Sequence, residues 1–223
     1  MDKKIIALIP ARGGSKGIPK KNIKIFKNKP LIVHTINYAL SCKLIDQVYV
    51  TTDCSEIKKI AINAGAQVIN RPEKLALDES TTESAIEHAL DKLNNKPDII
   101  VLLQPTSPIR PKNSLEESLQ IYSDGSYNSL LSISPTHKFF WNINKDTAEA
   151  NYDFMNRPRR QDMKKEDISY LENGSLYIFS YNHFIKTKNR LGGKIGYVIF
   201  PEEFSLEIDT MLDFNILENY EKL

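Results

Sequence analysis

Residues 4–9 form a short β-branched and apolar run that stops at Pro10, where the chain passes at once into a glycine-rich, basic loop, residues 10–22. Residues 31–42 then place Ile32, Ile36, Ala39 and Leu40 at helical spacing, and residues 47–52 read as a second strand. This is a βαβ unit. The pattern repeats as helix 55–64 closed by Gly65, strand 66–69, and a helix around 82–93 with Ile86, Ala89, Leu90 and Leu93 on one face. Strand 99–103, helix 114–122 and strand 129–133 continue it. Such alternation predicts an α/β chain whose mostly parallel sheet carries helices on both faces. With 223 residues, 41% of them hydrophobic, the chain suffices for one large domain with a substantial core.

The alternation fails between about 135 and 170. That stretch mixes Phe139, Phe140 and Trp141 with Arg157, Arg159 and Arg160, and it reads as an inserted arm covering a ligand or packing on a partner subunit. Disorder is the competing reading on composition. Regularity returns with strand 175–180, a helix near 182–188, strand 195–199 and a helix from about 210.

Charge divides the chain unevenly. Between Lys3 and Ile45 there are ten Lys and Arg and no Asp or Glu, so with Asp2 the first 45 residues sum to +9; the net charge of +2 leaves −7 for the remainder. The N-terminal part is therefore expected to face an anion, with a solvated basic face as the plainer alternative. Nucleic acid is disfavoured, because only Phe26 interrupts residues 12–29 and a stacking platform needs more aromatics. Cys42 and Cys54 have no metal-finger or redox spacing, and the opening MDKKIIALIP carries no signal cleavage pattern. A reducing, cytoplasmic location is expected. No run approaches the roughly 18 to 20 apolar residues of a membrane span, so no membrane partner is expected.

The loop carries the chemistry. Glycines let backbone N–H groups approach phosphate oxygens, and Arg12, Lys16 and Lys21 supply charge at the carboxyl end of a strand, where ligands of open α/β sheets bind. Its spacing is neither the Walker pattern nor the dinucleotide fingerprint.

Residues 9–22, IPARGGSKGIPKKN, resemble the signature loop of the N-acylneuraminate (nonulosonic acid) cytidylyltransferases. Five further segments agree in order: TTD at 51–53, RPEKLA at 71–76, LLQPTSPIR at 102–110, NGSLY at 173–177 and EIDT at 207–210. The resemblance covers nearly the whole chain. It implies one cytidylyltransferase domain over 1–223, with a Rossmann-like three-layer nucleotidyltransferase fold and an inserted dimerisation arm at about 135–170. It implies CTP as nucleotide and an acidic nine-carbon 2-keto sugar as acceptor, with Ala11, Arg12, Gly13, Ser15, Lys16, Lys21, Asn22, Arg71, Ser80 and Thr82 on the nucleotide. Gln104, Arg160 and Tyr177 would meet the acceptor, and Arg12, Lys21 and Asp209 would be the catalytic residues. The chain is expected to be a homodimer. Taken singly, Arg71 also reads as a surface residue before a Pro turn, Gln104 as a strand end and Tyr177 as core.

Glu207 and Asp209 are i and i+2, so in an extended segment both carboxylates point to one side and can share a hard cation. That cation is expected to be Mg2+, which takes oxygen ligands and bridges carboxylates to phosphates; His34, His88, His137 and His183 show no paired ligand spacing. The family usually has Asp at the position of Glu207. Residues 210–213 also match a helix capping box, which is a second reading of the segment. The implied reaction is attack of the sugar's anomeric hydroxyl on the α-phosphorus of CTP, with release of pyrophosphate. The base stays open between a metal-acidified hydroxyl and a carboxylate such as Glu207 or Asp209. Legionaminic, pseudaminic or another nonulosonic acid is an alternative acceptor. A non-catalytic nucleotide-sugar binding protein is the alternative from a different class.

Overall fold

The computed structural model describes residues 3–164 and 168–220. β1 (Ile5–Pro10) is central to a seven-stranded sheet, parallel to β4 (Gln47–Thr52) on one side and to β6 (Ile99–Leu103) on the other. β5 (Gln67–Asn70) continues the parallel set beyond β4. Past β6, β10 (Ser169–Ser180) runs antiparallel to both β6 and β7 (Ser129–Thr136), and β11 (Ile195–Ile199) closes the edge parallel to β7. The sheet is thus mostly parallel, as the alternation predicts.

Side chains alternate between two cores because successive residues of a strand face opposite ways. Ala7 and Ile9 point with Val101 and Leu103 into one layer, against α1 (Leu31–Ser41), α2 (Ser55–Asn63) and α4 (Ser114–Asp124). Ile6 and Leu8 point with Ile100, Leu102 and Phe179 into the other, against α3 (Thr82–Lys92) and α5 (Tyr181–Thr187). Helices therefore cover both faces. A third cluster joins Ile18 of the basic loop and Phe26 to Ile208 and to Phe214 and Leu217 of α6 (Met211–Glu218). It draws the two ends of the chain together.

Three local features depart from the sequence pattern. A small hairpin, β2 (Ile25–Phe26) with β3 (Lys29–Pro30), follows the loop. β7 runs on through Thr136 and β10 begins at Ser169, so Ser169 and Tyr170 pair with Thr136 and Pro135 where the arm was expected to have begun. Beyond them lies the hairpin of β8 (Trp141–Asn144) and β9 (Thr147–Ala150). Aromatic contacts order this region: Phe139 and Trp141 lie 4.3 and 5.9 Å from Tyr152, and Arg157 stacks 4.5 Å from the Phe139 ring. Residues 165–167 of the expected arm lie outside the described residues.

The chain leaves β1, runs outward through β4 to β5, and returns to β6 on the opposite side of β1. The carboxyl ends of β1 and β6 therefore flank the switch point, the usual place for a ligand in such a sheet.

Candidate active site

At that switch point opens a cleft of about 420 Å3, walled by the loop after β1, the segment between β5 and α3, residues 104–106 after β6, and Asp209. Of the residues singled out from sequence, Arg12, Ser15, Lys16, Lys21, Asn22, Arg71, Ser80, Thr82, Gln104 and Asp209 line it. Ala11 and Gly13 do not. Ala11 is core and donates its N–H to Thr51 O at 3.0 Å, while the N–H of Gly13 donates to Asp53 Oδ1 at 3.0 Å. Both set the loop's path. Asn22 is also structural, since its Nδ2 donates to Arg12 O at 2.9 Å.

Each cation of the loop is already paired. Arg12 Nη2 and Lys16 Nζ lie 2.9 and 2.8 Å from the two carboxylate oxygens of Asp78, and Arg12 Nη1 donates to Leu77 O at 2.7 Å. Lys21 Nζ donates to Ile208 O at 2.8 Å and meets Asp209 Oδ1 at 3.1 Å. Arg71 differs: it is buried, and its Nε and Nη2 have no partner. Burial holds its pKa below the usual arginine value, with the charge of Asp53 opposing that shift. Unpaired buried donors are costly, and these two lie on a residue that lines the cleft.

The acidic pair separates. Ile208 between them is fully buried in the third cluster and donates its N–H to Thr106 O at 2.8 Å. Asp209 faces the cleft, whereas Glu207 packs its carboxylate on Gly174, where φ is +63° and a Cβ would collide with Glu207 Oε1. This segment has no sheet ladder to impose the strict two-residue alternation. A bulge in β10 makes the place for Glu207: Asn173 Nδ2 donates to Ser134 Oγ at 2.9 Å, and its Oδ1 accepts from Ser132 Oγ at 2.6 Å. Thr210 and Asp213 form the capping box of α6. The capping and cleft-facing roles thus fall on different residues.

Burial, and then the charge of Asp209, push the Glu207 carboxyl up to about 7, and the ammonium of Lys21 opposes the shift. The folded value exceeds the ordinary 4.5, so the folded chain loses stability as pH rises from about 4.5 through about 7. In thermal melts with chelator present, Glu207→Gln is expected to exceed wild type at pH 8, with the gap closing toward pH 5. A gap independent of pH would mean that this carboxyl ionises freely.

Tyr177 and Arg160 stand apart from the cleft. The Tyr177 ring is buried beneath the guanidinium of Arg190, 4.6 Å from its centroid, and its hydroxyl donates to Glu172. Arg160 is exposed on the arm and reaches Glu202 at 3.2 Å. Arg110, quoted in a motif without a role, is buried and stacks 5.0 Å from the Tyr38 ring. Its Nη2 donates to Gln104 O at 2.8 Å and Ser175 O at 3.1 Å, which ties the Gln104 wall to the bulge. Burial lowers its pKa to about 10, so it stays charged at neutral pH. Sequence reasoning gave no role to Asp78, Gly17 or Thr106, although Gly17 and Thr106 stood within quoted motifs.

Residues 6–223 match the profile of a family described as Cytidylyltransferase. N-acylneuraminate cytidylyltransferase of Oncorhynchus mykiss is 38% identical over 219 residues, covering 96% of this chain and 49% of that protein. The protein of the same name from Escherichia coli O18:K1:H7 is 33% identical, covering 97% of this chain and 52% of its own. The chain spans about half the length of these relatives. A solved CMP:2-keto-3-deoxy-manno-octonic acid synthetase complexed with CTP shares the fold with a TM-score of 0.70 at 16% identity, over 96% of this chain and 97% of its own. A 4-diphosphocytidyl-2C-methyl-D-erythritol synthase from Anaerococcus prevotii, also at 0.70, is 13% identical over the whole of both chains.

Proposed function

Because the chain belongs to the cytidylyltransferase family, we propose that it transfers CMP from CTP to the anomeric hydroxyl of an acidic nine-carbon 2-keto sugar, releasing pyrophosphate. The observation that carries this reading is the convergence of Arg12, Lys16 and Lys21 in one cleft with a buried Arg71 whose Nε and Nη2 lack partners. Three cations suit a triphosphate, and buried unpaired donors suit a base or ribose. The names of the trout and Escherichia coli relatives support an N-acylneuraminate-like acceptor.

Arg12, Ser15, Lys16 and Lys21 hold the triphosphate, while Asn22, Arg71, Ser80 and Thr82 bound the nucleoside. Gln104, braced by Arg110, forms the acceptor wall, while Tyr177 pairs with Leu102 in the sheet and is held by Glu172 and Arg190. As the bond from the α-phosphorus to the leaving oxygen breaks, the loop cations neutralise the charge growing on pyrophosphate; the fixed walls keep the hydroxyl in line with it.

The donor set fits Mg2+. Among the described residues no three His, Cys, Asp or Glu side chains gather, and Mg2+ needs only one or two carboxylates besides substrate phosphates. Asp209 would hold it, with Glu207 behind as a half-buried neighbour rather than a direct ligand. When bound, the ion supplies further neutralisation of phosphate charge.

The test is pyrophosphate release with Mg2+, CTP and a panel of N-acetylneuraminic, legionaminic and pseudaminic acids. Release is expected only when CTP and an acid are both present. Equal turnover with ATP, or turnover without the acid, would sink the reading.

The arm is proposed as a two-fold contact between copies of this chain. Trp141, Ile143, Phe154 and Met155 are exposed on it, at 47, 72, 59 and 79%, and Arg160 sits beside them away from its own cleft. Apolar area of this kind points to a protein partner. Light scattering should report about twice 25.5 kDa, and a fully active monomer would refute the contact. No helix among the described residues is long and apolar enough to cross a membrane.

A further inference from the structure

The cleft contains a carboxylate that the proposed chemistry does not use. Asp78 spans Arg12 and Lys16 with one oxygen each, and the carbonyl of its neighbour Leu77 takes the second Nη of Arg12. Two residues of one segment thus present three oxygens to the two loop cations, much as a polyphosphate would. Asp78 has little else to do. It caps no helix, since Thr81 caps α3 by accepting from Ser84 N at 3.1 Å, and its side chain remains 42% exposed.

The segment that carries Asp78 is pinned mainly at its ends. At one end Arg71 N donates to Thr52 O at 2.8 Å and a short turn covers Glu73–Leu75; at the other α3 begins. Between them the Leu77 side chain is 54% exposed rather than packed in the core. The stretch from Leu77 to Asp78 can therefore swing away at the cost of the 3.2 Å hydrogen bond from Ser80 N to Leu77 O while uncovering little apolar surface.

We propose that Asp78 is a specificity-determining residue for the leaving group: it occupies the triphosphate cations of the empty cleft and yields them only to a ligand with several anionic oxygens. The inference rests on reading Arg12 and Lys16 as phosphate contacts. A triphosphate or pyrophosphate carries enough charge to replace one carboxylate on two cations. A CMP-sugar, with a single phosphate charge at this place, does not. Once pyrophosphate departs, Asp78 recaptures both cations, and the product loses its hold on the loop. The same residue thus opposes rebinding of pyrophosphate, which would otherwise reverse the transfer.

Calorimetric titration with inorganic pyrophosphate tests this without any sugar. Asp78→Asn keeps the size and removes the charge, and it is expected to bind pyrophosphate about three- to thirtyfold more tightly than wild type, the range for losing two exposed ion-pair competitors. Glu79→Gln makes the same change of net charge beside it and should stay within about twofold of wild type. Unchanged or weaker binding by Asp78→Asn overturns the proposal. So does equal tightening by Glu79→Gln, which would reveal a general charge effect, and so does absence of pyrophosphate binding in all three proteins. If Asp78→Asn tightens binding while no nonulosonic acid supports turnover, the acceptor reading fails and this one stands.

Discussion

Asp209→Asn is expected to fold normally and to lose about 10²- to 10³-fold in kcat/KM, the range for removing one preorganised charged group from an active site. Its carboxylate is 64% exposed on the cleft, so its ion pair to the less exposed Lys21 is screened by solvent on that side and adds little to stability. Asn keeps the shape and still offers Lys21 an oxygen. The backbone N–H of Asp209 donates to Asp213 at 3.1 Å whichever side chain it carries, so α6 keeps its start. What disappears is the negative charge that would hold Mg2+ against the triphosphate. The check is steady-state kinetics over a range of Mg2+ concentration beside a thermal melt. Wild-type activity in the Asn variant would remove Asp209 from the reaction.

The second large effect is expected at Gly17, for steric reasons. A Cβ there would fall within contact distance of the Asp209 carbonyl, a backbone atom that cannot rotate away. Gly17→Ala must therefore push residues 207–210 off the loop, and overpacking of this kind costs about 1 to 3 kcal/mol. Asp209 moves with the segment. Displacing a reacting constellation by about 1 Å costs on the order of 100-fold in rate, so kcat/KM should fall by about that much. Gly14 is the control for the melt, because a Cβ there meets nothing within 4 Å. Gly14→Ala should melt with wild type and Gly17→Ala several degrees lower. Equal melting of the two would mean that the loop and the acidic segment do not rest on each other.

These two residues mark the limits of what the sequence discloses. Asp209 was legible because it stands in an ordered motif, and Arg12, Lys16 and Lys21 because uncompensated charge in a glycine-rich loop is rare without an anion. Gly17 read only as one more loop glycine, since its constraint is a carbonyl 192 residues further along the chain. Asp78 was silent for a similar reason. Its partners are more than 60 residues away, and an acid beside Glu79 in LALDES looks like ordinary surface. The strands of β1, β4 and β6 were clear from apolar runs, but the first half of β10 is polar and bulged, so Ser169 and Tyr170 fell in the expected arm and the strand was read only from 175. Glu207 and Asp209 were expected on one side; burial of Ile208 and the hollow at Gly174 separate them. Both causes are tertiary.

The order of the strands also bears on how the protein is made. β1, β4, β5 and β6, with the loops after them, use only the first 106 residues, and every cleft-lining group except Asp209 belongs to that stretch. Those strands all lie in the first half of the chain, whereas β10 must enter between β6 and β7, and residues 207–210 must then return to the loop after β1. Contacts between distant segments form late because loop closure has to be met before they contribute. A chain emerging from the ribosome can thus shape these walls of the cleft early, while Lys21 waits for Ile208, 187 residues further along. A chain interrupted before residue 207 lacks Asp209 and its contact with Lys21, so this side of the cleft is completed after the walls that precede residue 107.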